Sequence, residues 1–133
     1  LEGLADFVLI DAPSGLGNDL SNLLRNADEA LVVLNPNNSS VMEALKSVKL
    51  AKSKNNIVFG AILNMSNRWS RNELKKQDVE DILGVQILAN IFQDKKIKKC
   101  LHNKTIIKHS YPRSRSSKEY DKLADYLIMN FNK

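Results

Sequence analysis

The stretch that decides the fold spans residues 6–17 and reads Asp6-Phe7-Val8-Leu9-Ile10-Asp11-Ala12-Pro13-Ser14-Gly15-Leu16-Gly17. Its apolar run, Phe7 to Ile10, has no polar alternation, which predicts a strand buried on both faces, as in parallel sheets. Asp11, a proline and two glycines follow. They predict a sharp turn at the carboxyl end of the strand, where open α/β sheets bind ligands.

This turn has the residue types of a magnesium and phosphate site. Mg²⁺ keeps several waters and needs only one or two protein carboxylates, so Asp11 can hold it through its water shell. Gly15 and Gly17 have no Cβ, so their backbone N–H groups can approach phosphate oxygens closely. Taken alone, the stretch fits equally well a plain strand-to-helix turn with a chance acid.

Length and composition indicate a single domain. The 133 residues are 43% hydrophobic, which is enough for a core, and no apolar run approaches the about 20 residues of a membrane span. The single cysteine, Cys100, excludes an internal disulfide framework, and we expect a reducing, cytoplasmic setting. The net charge of +5 allows a nucleic acid or an acidic membrane as partner, but its spread over several segments favours solvated helix faces.

Apolar periodicity predicts alternating strands and helices along the rest of the chain. Further strands are predicted over Glu29 to Asn35, Ile57 to Leu63 and Val85 to Phe92. Helices are predicted at 17–26, at about 41–51 after a capping box of Ser40 and Glu43, and at 78–83, where Gly84 ends the helix. Two more are predicted in a basic segment with Ile97 and Leu101 facing inward and in a closing apolar stripe from Tyr120 to Phe131. Thr105 to Ser110 is expected to be a short strand or an extended loop. This order predicts an α/β fold with a mostly parallel sheet and helices on both faces.

Polar groups follow the predicted strands at the carboxyl edge of this sheet: Asp11, Asn35, Asn64 and the Gln93-Asp94 pair. An asparagine side chain offers an acceptor and a donor pair, which match the edge of an adenine ring. Asn64 by itself fits a turn residue equally well. Asp94 equally fits an N-cap of the following helix, because aspartate is a preferred residue there.

In this order and spacing, the residues resemble the MinD branch of the MinD/ParA deviant-Walker ATPases. The resemblance runs from about Ala5 to Phe131 and rests on residues 6–17, Ala27-Asp28-Glu29-Ala30, Asn35-Pro36 with Ser39-Ser40-Val41, Asn64 with Asn67-Arg68, Glu80 to Val85, and Ser116-Ser117-Lys118. It implies a three-layer fold like that of P-loop NTPases, with ATP and Mg²⁺ as ligands.

The resemblance also implies roles for single residues. Asp11 is the expected Walker B and switch II acid, near Mg²⁺ through water, and Gly15 is expected to face the γ-phosphate. Asn64 is the expected adenine-recognition amide, with Asp94 in a second adenine-contacting segment and Asn35 as a further nucleotide-binding amide. Relatives usually have proline where Phe92 stands here. The surface from Asn37 to Glu43 is the one that relatives use for dimerisation and partner binding.

The phosphate loop of such ATPases is missing from this sequence, since no Gly-x-x-x-x-Gly-Lys-Ser/Thr occurs in it. Without backbone N–H groups and a lysine on the phosphates, we expect this chain alone to be inactive, while a longer parent hydrolyses ATP. In the family's sheet the phosphate-loop strand lies between the Phe7 strand and the Ala30 strand. We therefore expect residues 1–133 to be the C-terminal portion of a MinD-like domain, whose gap is filled by an upstream segment or another chain.

These inferences predict a MinD-like ATPase in division-site placement or similar intracellular positioning, working as a homodimer or with a complementing N-terminal segment. A regulatory protein at the surface from Asn37 to Glu43 is an accompanying expectation. Alternatives are a ParA-like partitioning ATPase that binds DNA and a non-catalytic interaction module. An iron–sulfur carrier is disfavoured because Cys100 alone cannot supply paired thiolates. Membrane attachment is also disfavoured, because the last helix is expected to pack on the sheet.

Overall fold

The computed structural model describes residues 5–13, 15 and 17–131, so Ser14 and Leu16 of the opening stretch lie outside it. Its sheet is parallel, in the order β1 (Glu29–Leu34), β2 (Ile57–Ser66) and β3 (Ile87–Phe92). The helices of this part are α1 (Asn18–Arg25), α2 (Asn38–Ser53), α3 (Lys76–Leu83), α4 (Lys95–His102), α5 (Ile107–Ser110) and α6 (Arg115–Phe131). The predicted α/β class and the parallel sheet are confirmed.

Strand β2 is the centre of the molecule. Its middle residues are buried without alternation, because β2 has a strand on each side and helices above and below. On one face Ala61 and Leu63 join a core cluster with residues of α2 and α3, and on the other Ile62 packs with Leu123 of α6. The sheet therefore lies between two helical layers, as predicted.

The start of α2 differs from the predicted capping box. Asn37 is the N-cap, and its Oδ1 accepts a hydrogen bond from the Ser40 N–H at 2.9 Å. Ser40 already lies in the first turn, because the asparagine three residues earlier satisfies a free N–H of the helix terminus. The predicted stop of α3 is confirmed, since Gly84 has a φ of 62°, a left-handed conformation that favours glycine.

The predicted buried strand from Phe7 to Ile10 is wrong in this structure. These side chains are 38%, 48%, 87% and 49% exposed, and the segment lies outside the sheet. A strand needs a neighbour for its backbone groups. The strand that the resemblance places between this segment and β1 has no counterpart among the described residues, so the outer edge of β1 is left open there.

Two details of the C-terminal third also differ from expectation. In α4 the inward side chains are Ile97 and Cys100, whereas Leu101 is 72% exposed. The inward face of this short helix is therefore formed by residues three positions apart, whereas the prediction had placed residues four positions apart on it. The segment predicted as a strand or loop forms the short helix α5. The closing helix packs on the sheet as predicted, with Leu123 buried and the Phe59 and Tyr126 rings 5.6 Å apart.

Candidate nucleotide site

The carboxyl ends of the parallel strands meet at one edge of the sheet. Asn35 directly follows β1, and Gln93 and Asp94 directly follow β3. The Gln93 N–H donates to the Ser66 carbonyl at 2.9 Å, which joins the ends of β2 and β3. The topology thus gathers at one edge the groups that the sequence predicted there, except for Asp11.

A cavity of about 150 Å³ opens at this edge, lined by Asn35, Pro36, Asn37, Met65, Glu73 and Gln93. Pockets that enclose a drug-sized ligand have volumes of about 300 Å³ or more. The cavity is therefore large enough for one part of a nucleotide but not for all of it.

The loop after β2 forms one wall of this cavity. The Asn67 N–H donates to both carboxylate oxygens of Glu73, at 3.0 and 2.9 Å, and the Leu74 N–H donates to the Pro36 carbonyl at 3.0 Å. The first two bonds lie within the β2 loop, and the third connects this loop to the turn after β1. The indole of Trp69 at the tip of the loop is 91% exposed.

Asn64 lies inside β2, which continues to Ser66, so the predicted end of this strand at Leu63 is three residues early. Its side chain is half-buried, and its Oδ1 accepts the Met65 N–H at 3.0 Å. Its amide nitrogen makes no hydrogen bond within the part of the chain that the structure describes. The donor pair of Asn64 therefore remains available to a ligand.

Asp94 has the alternative role that the sequence allowed, as the N-cap of α4. Its Oδ1 accepts the Lys96 N–H at 2.8 Å, and its Oδ2 accepts the Ser116 hydroxyl at 3.1 Å. The carboxylate thus connects the start of α4 to the start of α6. A contact with a nucleotide base stays a prediction for this residue.

Phe92, at the end of β3, has two guanidinium groups near its ring. The Arg115 guanidinium carbon is 3.7 Å from the ring centroid and that of Arg68 is 5.8 Å away. Cation–π contact stabilises such an arrangement. The sequence analysis missed both arginines; Arg68 lies in the Asn67-Arg68 pair that carried the resemblance, whereas Arg115 comes close only through the packing of α6 on β3.

Buried polar atoms without a partner add hydrogen-bonding capacity near this edge. Ser66 is 4% exposed and its hydroxyl has no partner, and the side-chain oxygen of Asn90 in β3 also has none. Such atoms are rare in folded proteins and usually indicate a water or a polar ligand. The residues present thus fit the base end of a nucleotide.

The phosphate end has less support in this chain. Asp11 is exposed in the segment outside the sheet, and no hydrogen bond or ion pair joins it to the strand-end residues within the described ranges. Gly15 has a φ of 103°, with open space where a Cβ would stand. The described residues hold no group of three or more metal-binding side chains. A single carboxylate fits Mg²⁺ only when waters and phosphate oxygens complete its shell.

A three-layer α/β fold with polar groups at the carboxyl edge of parallel strands is the architecture of P-loop NTPases. The chain belongs to the ParA/MinD family of these proteins: the family model ParA, NUBPL iron-transfer P-loop NTPase, matches residues 3–128.

Individual relatives agree with this membership. An uncharacterized ATP-binding protein of Methanocaldococcus jannaschii, MJ0547, is 30% identical over 128 residues, which are 96% of this chain and 48% of the relative. The septum site-determining protein MinD of Pyrococcus horikoshii, solved with Mg-ADP, is 29% identical with a TM-score of 0.86, over 95% of this chain and 51% of that one. An iron–sulfur cluster carrier protein of M. jannaschii is 36% identical over 67 residues, 48% of this chain and 23% of the relative. The chain spans about half the length of the first two relatives.

Proposed function

We propose that this chain is the C-terminal half of a MinD-like ATPase that binds ATP and Mg²⁺, hydrolyses ATP and acts in the cytoplasm in division-site placement or similar intracellular positioning. The observation that carries the proposal is the joined carboxyl edge of β1, β2 and β3: Asn35 follows β1, Asn64 lies near the end of β2, and Asp94 lies just after β3. Membership of the ParA/MinD family and the similarity to a MinD solved with Mg-ADP support it.

At the base end, Asn64 recognises the adenine. Its unused amide nitrogen donates to a ring nitrogen, and its oxygen accepts from the exocyclic amine once the local bond to Met65 is exchanged. Asp94 holds α4 and α6 in place beside the base through its two hydrogen bonds. Asn35 lines the cavity on the β1 side.

At the phosphate end, this chain supplies Asp11 and Gly15, and upstream polypeptide supplies the phosphate loop. Phosphoryl transfer depends on positioning and on electrostatic stabilisation of the phosphate oxygens. Bound Mg²⁺ supplies part of that stabilisation by neutralising charge on those oxygens. Asp11 accepts hydrogen bonds from water in the metal's shell, and the Gly15 backbone approaches the terminal phosphate without a Cβ in its way. Without the loop, we expect no appreciable turnover from residues 1–133.

The open edge of β1 is where the upstream segment adds its strand. Val33 of β1 is 59% exposed, and Leu9 and Ile10 of the opening segment are 87% and 49% exposed. A further parallel strand would pair with β1 on one side and with the opening segment on its other side. It would also remove this apolar surface from water, which is the main favourable contribution to folding.

The surface from Asn37 to Glu43 is the proposed contact with a second copy or a regulatory protein. Asn38 and Ser39 are exposed at the start of α2, and Met42 is 52% exposed one turn later. An exposed methionine beside polar groups is typical of adaptable binding surfaces. This surface adjoins the cavity through Asn37.

The test is nucleotide binding by the complete natural polypeptide, measured as a Mg-ATP-dependent thermal shift and by titration with a fluorescent ATP analogue. We expect Asn64→Asp to weaken ATP binding about tenfold and to reduce discrimination against GTP, since one hydrogen bond to the base, about 1.4 kcal/mol, is lost. The control is Asn22→Asp, the same change on the exposed surface of α1. Unchanged ATP affinity in Asn64→Asp would refute the role of Asn64, and no ATP binding by the complete polypeptide would refute the proposed function.

An iron–sulfur carrier function is suggested by the description of the matching family model and by the carrier protein among the relatives. Cys100 is 3% exposed, and the residues that the structure describes contain no group of three metal-binding side chains. A cluster would therefore need further thiolates from elsewhere.

The residues that the structure describes include no helix with the length and apolar character that crossing a membrane requires.

A further inference from the structure

The charges of this chain are strongly segregated. Residues 95–118 contain nine lysines and arginines and no aspartate or glutamate, whereas the rest of the chain has 11 basic against 15 acidic residues. A strong local excess of one sign of charge attracts partners of the opposite sign. The nucleotide site proposed above does not use this excess.

Helix α4 forms the first part of this basic segment, residues 95–118. Its buried face consists of Ile97 and Cys100, so Lys95, Lys96, Lys98 and Lys99 are all exposed. None of these lysines forms an ion pair within the described part of the chain, where the basic segment's own ion pair joins Lys108 to Asp121. Four unpaired ammonium groups on two turns of helix repel one another, and an anionic partner would relieve this repulsion.

A groove of about 590 Å³ runs along this helix, lined by Lys95, Lys96, Lys98, Lys99, His102 and Tyr111. We call it the α4 groove. Its walls are mainly carbon, formed by lysine stems and the Tyr111 ring, and the Lys96 ammonium lies 5.4 Å from the centroid of that ring. Its rim is therefore cationic and its walls are apolar. Two exposed aliphatic residues lie close by in sequence, Leu101 at 72% and Ile106 at 60% exposure.

We propose that the α4 groove binds an acidic amphipathic helix of a partner protein. Carboxylates on one side of such a helix pair with the lysine rim, and its aliphatic side chains pack on the groove walls and on Leu101. The groove, with a volume of about 590 Å³, has room for several side chains of such a helix. Binding an amphipathic helix in a groove is a common mode of peptide recognition.

The same features disfavour a nucleic acid as the partner. A nucleic-acid backbone offers phosphates but little apolar surface, so it leaves the carbon walls of the groove uncovered. The groove also lacks arginine, whose planar fork suits phosphate better than lysine does.

The test uses the complete natural polypeptide and a labelled synthetic 16-residue helix with glutamates on one face and leucines on the other. We expect saturable binding by fluorescence anisotropy, with NMR shifts concentrated on α4 and Tyr111. A scrambled peptide of the same composition, which keeps the charge but not the two faces, should bind at least tenfold more weakly. The double variant Lys98→Glu with Lys99→Glu should also weaken binding at least tenfold.

The matched control is Lys49→Glu with Lys52→Glu on α2, which makes the same change of charge at two exposed lysines. It should bind the peptide within about twofold of the unchanged protein, because screening confines the charge effect to about 10 Å. Equal binding of the scrambled peptide, equal loss in the control, or no peptide binding would overturn the proposal. A 20-base-pair duplex or phosphatidylglycerol vesicles that bind more tightly, and lose binding in the Lys98 and Lys99 variant, would also overturn it. Circular dichroism and the NMR spectrum check that both variants fold.

Discussion

The two sides of the sheet differ in how completely their apolar surface is covered. On the β3 side, α6 lies over the sheet, and Ile91 and Leu123 are 1% and 9% exposed. On the β1 side the edge strand is open, Val33 is 59% exposed, and the apolar segment 7–10 lies outside the sheet. Both sides have apolar sequences of similar strength, so composition alone does not explain the difference.

The difference shows that an apolar strand is buried only when its neighbour is present. The β3 side is completed by a helix that this chain contains, and we propose that the β1 side is completed by a strand that the described residues do not supply.

Truncating one apolar side chain on each side tests the comparison directly. Ile91→Ala in β3 should destabilise the chain by about 2–5 kcal/mol, because it leaves a cavity in the packed core. Val33→Ala in β1, where the side chain is 59% exposed, should cost less than about 1 kcal/mol. Urea unfolding followed by circular dichroism gives both values. Equal costs would mean that the two sides are covered alike in solution.

Removing a buried hydroxyl tests how firmly the C-terminal helices are joined. The Ser117 hydroxyl donates to the Tyr111 carbonyl at 2.8 Å and lies 3.2 Å from the Ile107 carbonyl, and the Ser114 hydroxyl donates to it at 3.0 Å. Ser117→Ala should destabilise by about 1–3 kcal/mol, since a buried group loses its partner. Ser53→Ala, at an exposed hydroxyl, is the control and should cost less than about 0.5 kcal/mol in the same unfolding experiment.

The substitution Val33→Thr distinguishes the open sheet edge from a completed one. In the 133-residue chain it should change the free energy of unfolding by less than about 0.5 kcal/mol, because the side chain is mostly exposed. In the complete polypeptide it should cost about 1–2 kcal/mol more, because the hydroxyl then enters an apolar layer. The same small cost in both proteins would contradict the proposal that an upstream strand covers β1.

Loss of the α2 cap should cost less than the loss of the buried groups in β3 and α6. Asn37→Ala removes the acceptor for the Ser40 N–H and should destabilise by about 1 kcal/mol. Ser39→Ala, at an exposed position in the first turn, should be nearly neutral. If Ser40→Ala proved more costly than Asn37→Ala in thermal unfolding, the predicted capping box of Ser40 and Glu43 would be correct.

Much of the fold could be predicted from local signals. The apolar runs at 29–34 and 57–63 predicted β1 and most of β2, and Gly84 predicted the end of α3. The candidate site was predicted in part, because parallel strands always place their carboxyl ends at one edge, as Asn35 and Asp94 show. Arg115 beside Phe92 and the Ser116 bond to Asp94 were not predictable, since they join positions far apart in the chain.

The sequence by itself determined the α/β class, the order of the elements and the family resemblance, because hydrophobic period and turn residues act over a few neighbouring positions. Which apolar segments are buried depends on the tertiary structure. Phe7 to Ile10 and Leu101 have the sequence character of core residues, yet both are exposed. Burial depends on the surfaces that other elements present, and the pattern within a segment carries no information about whether those surfaces are there.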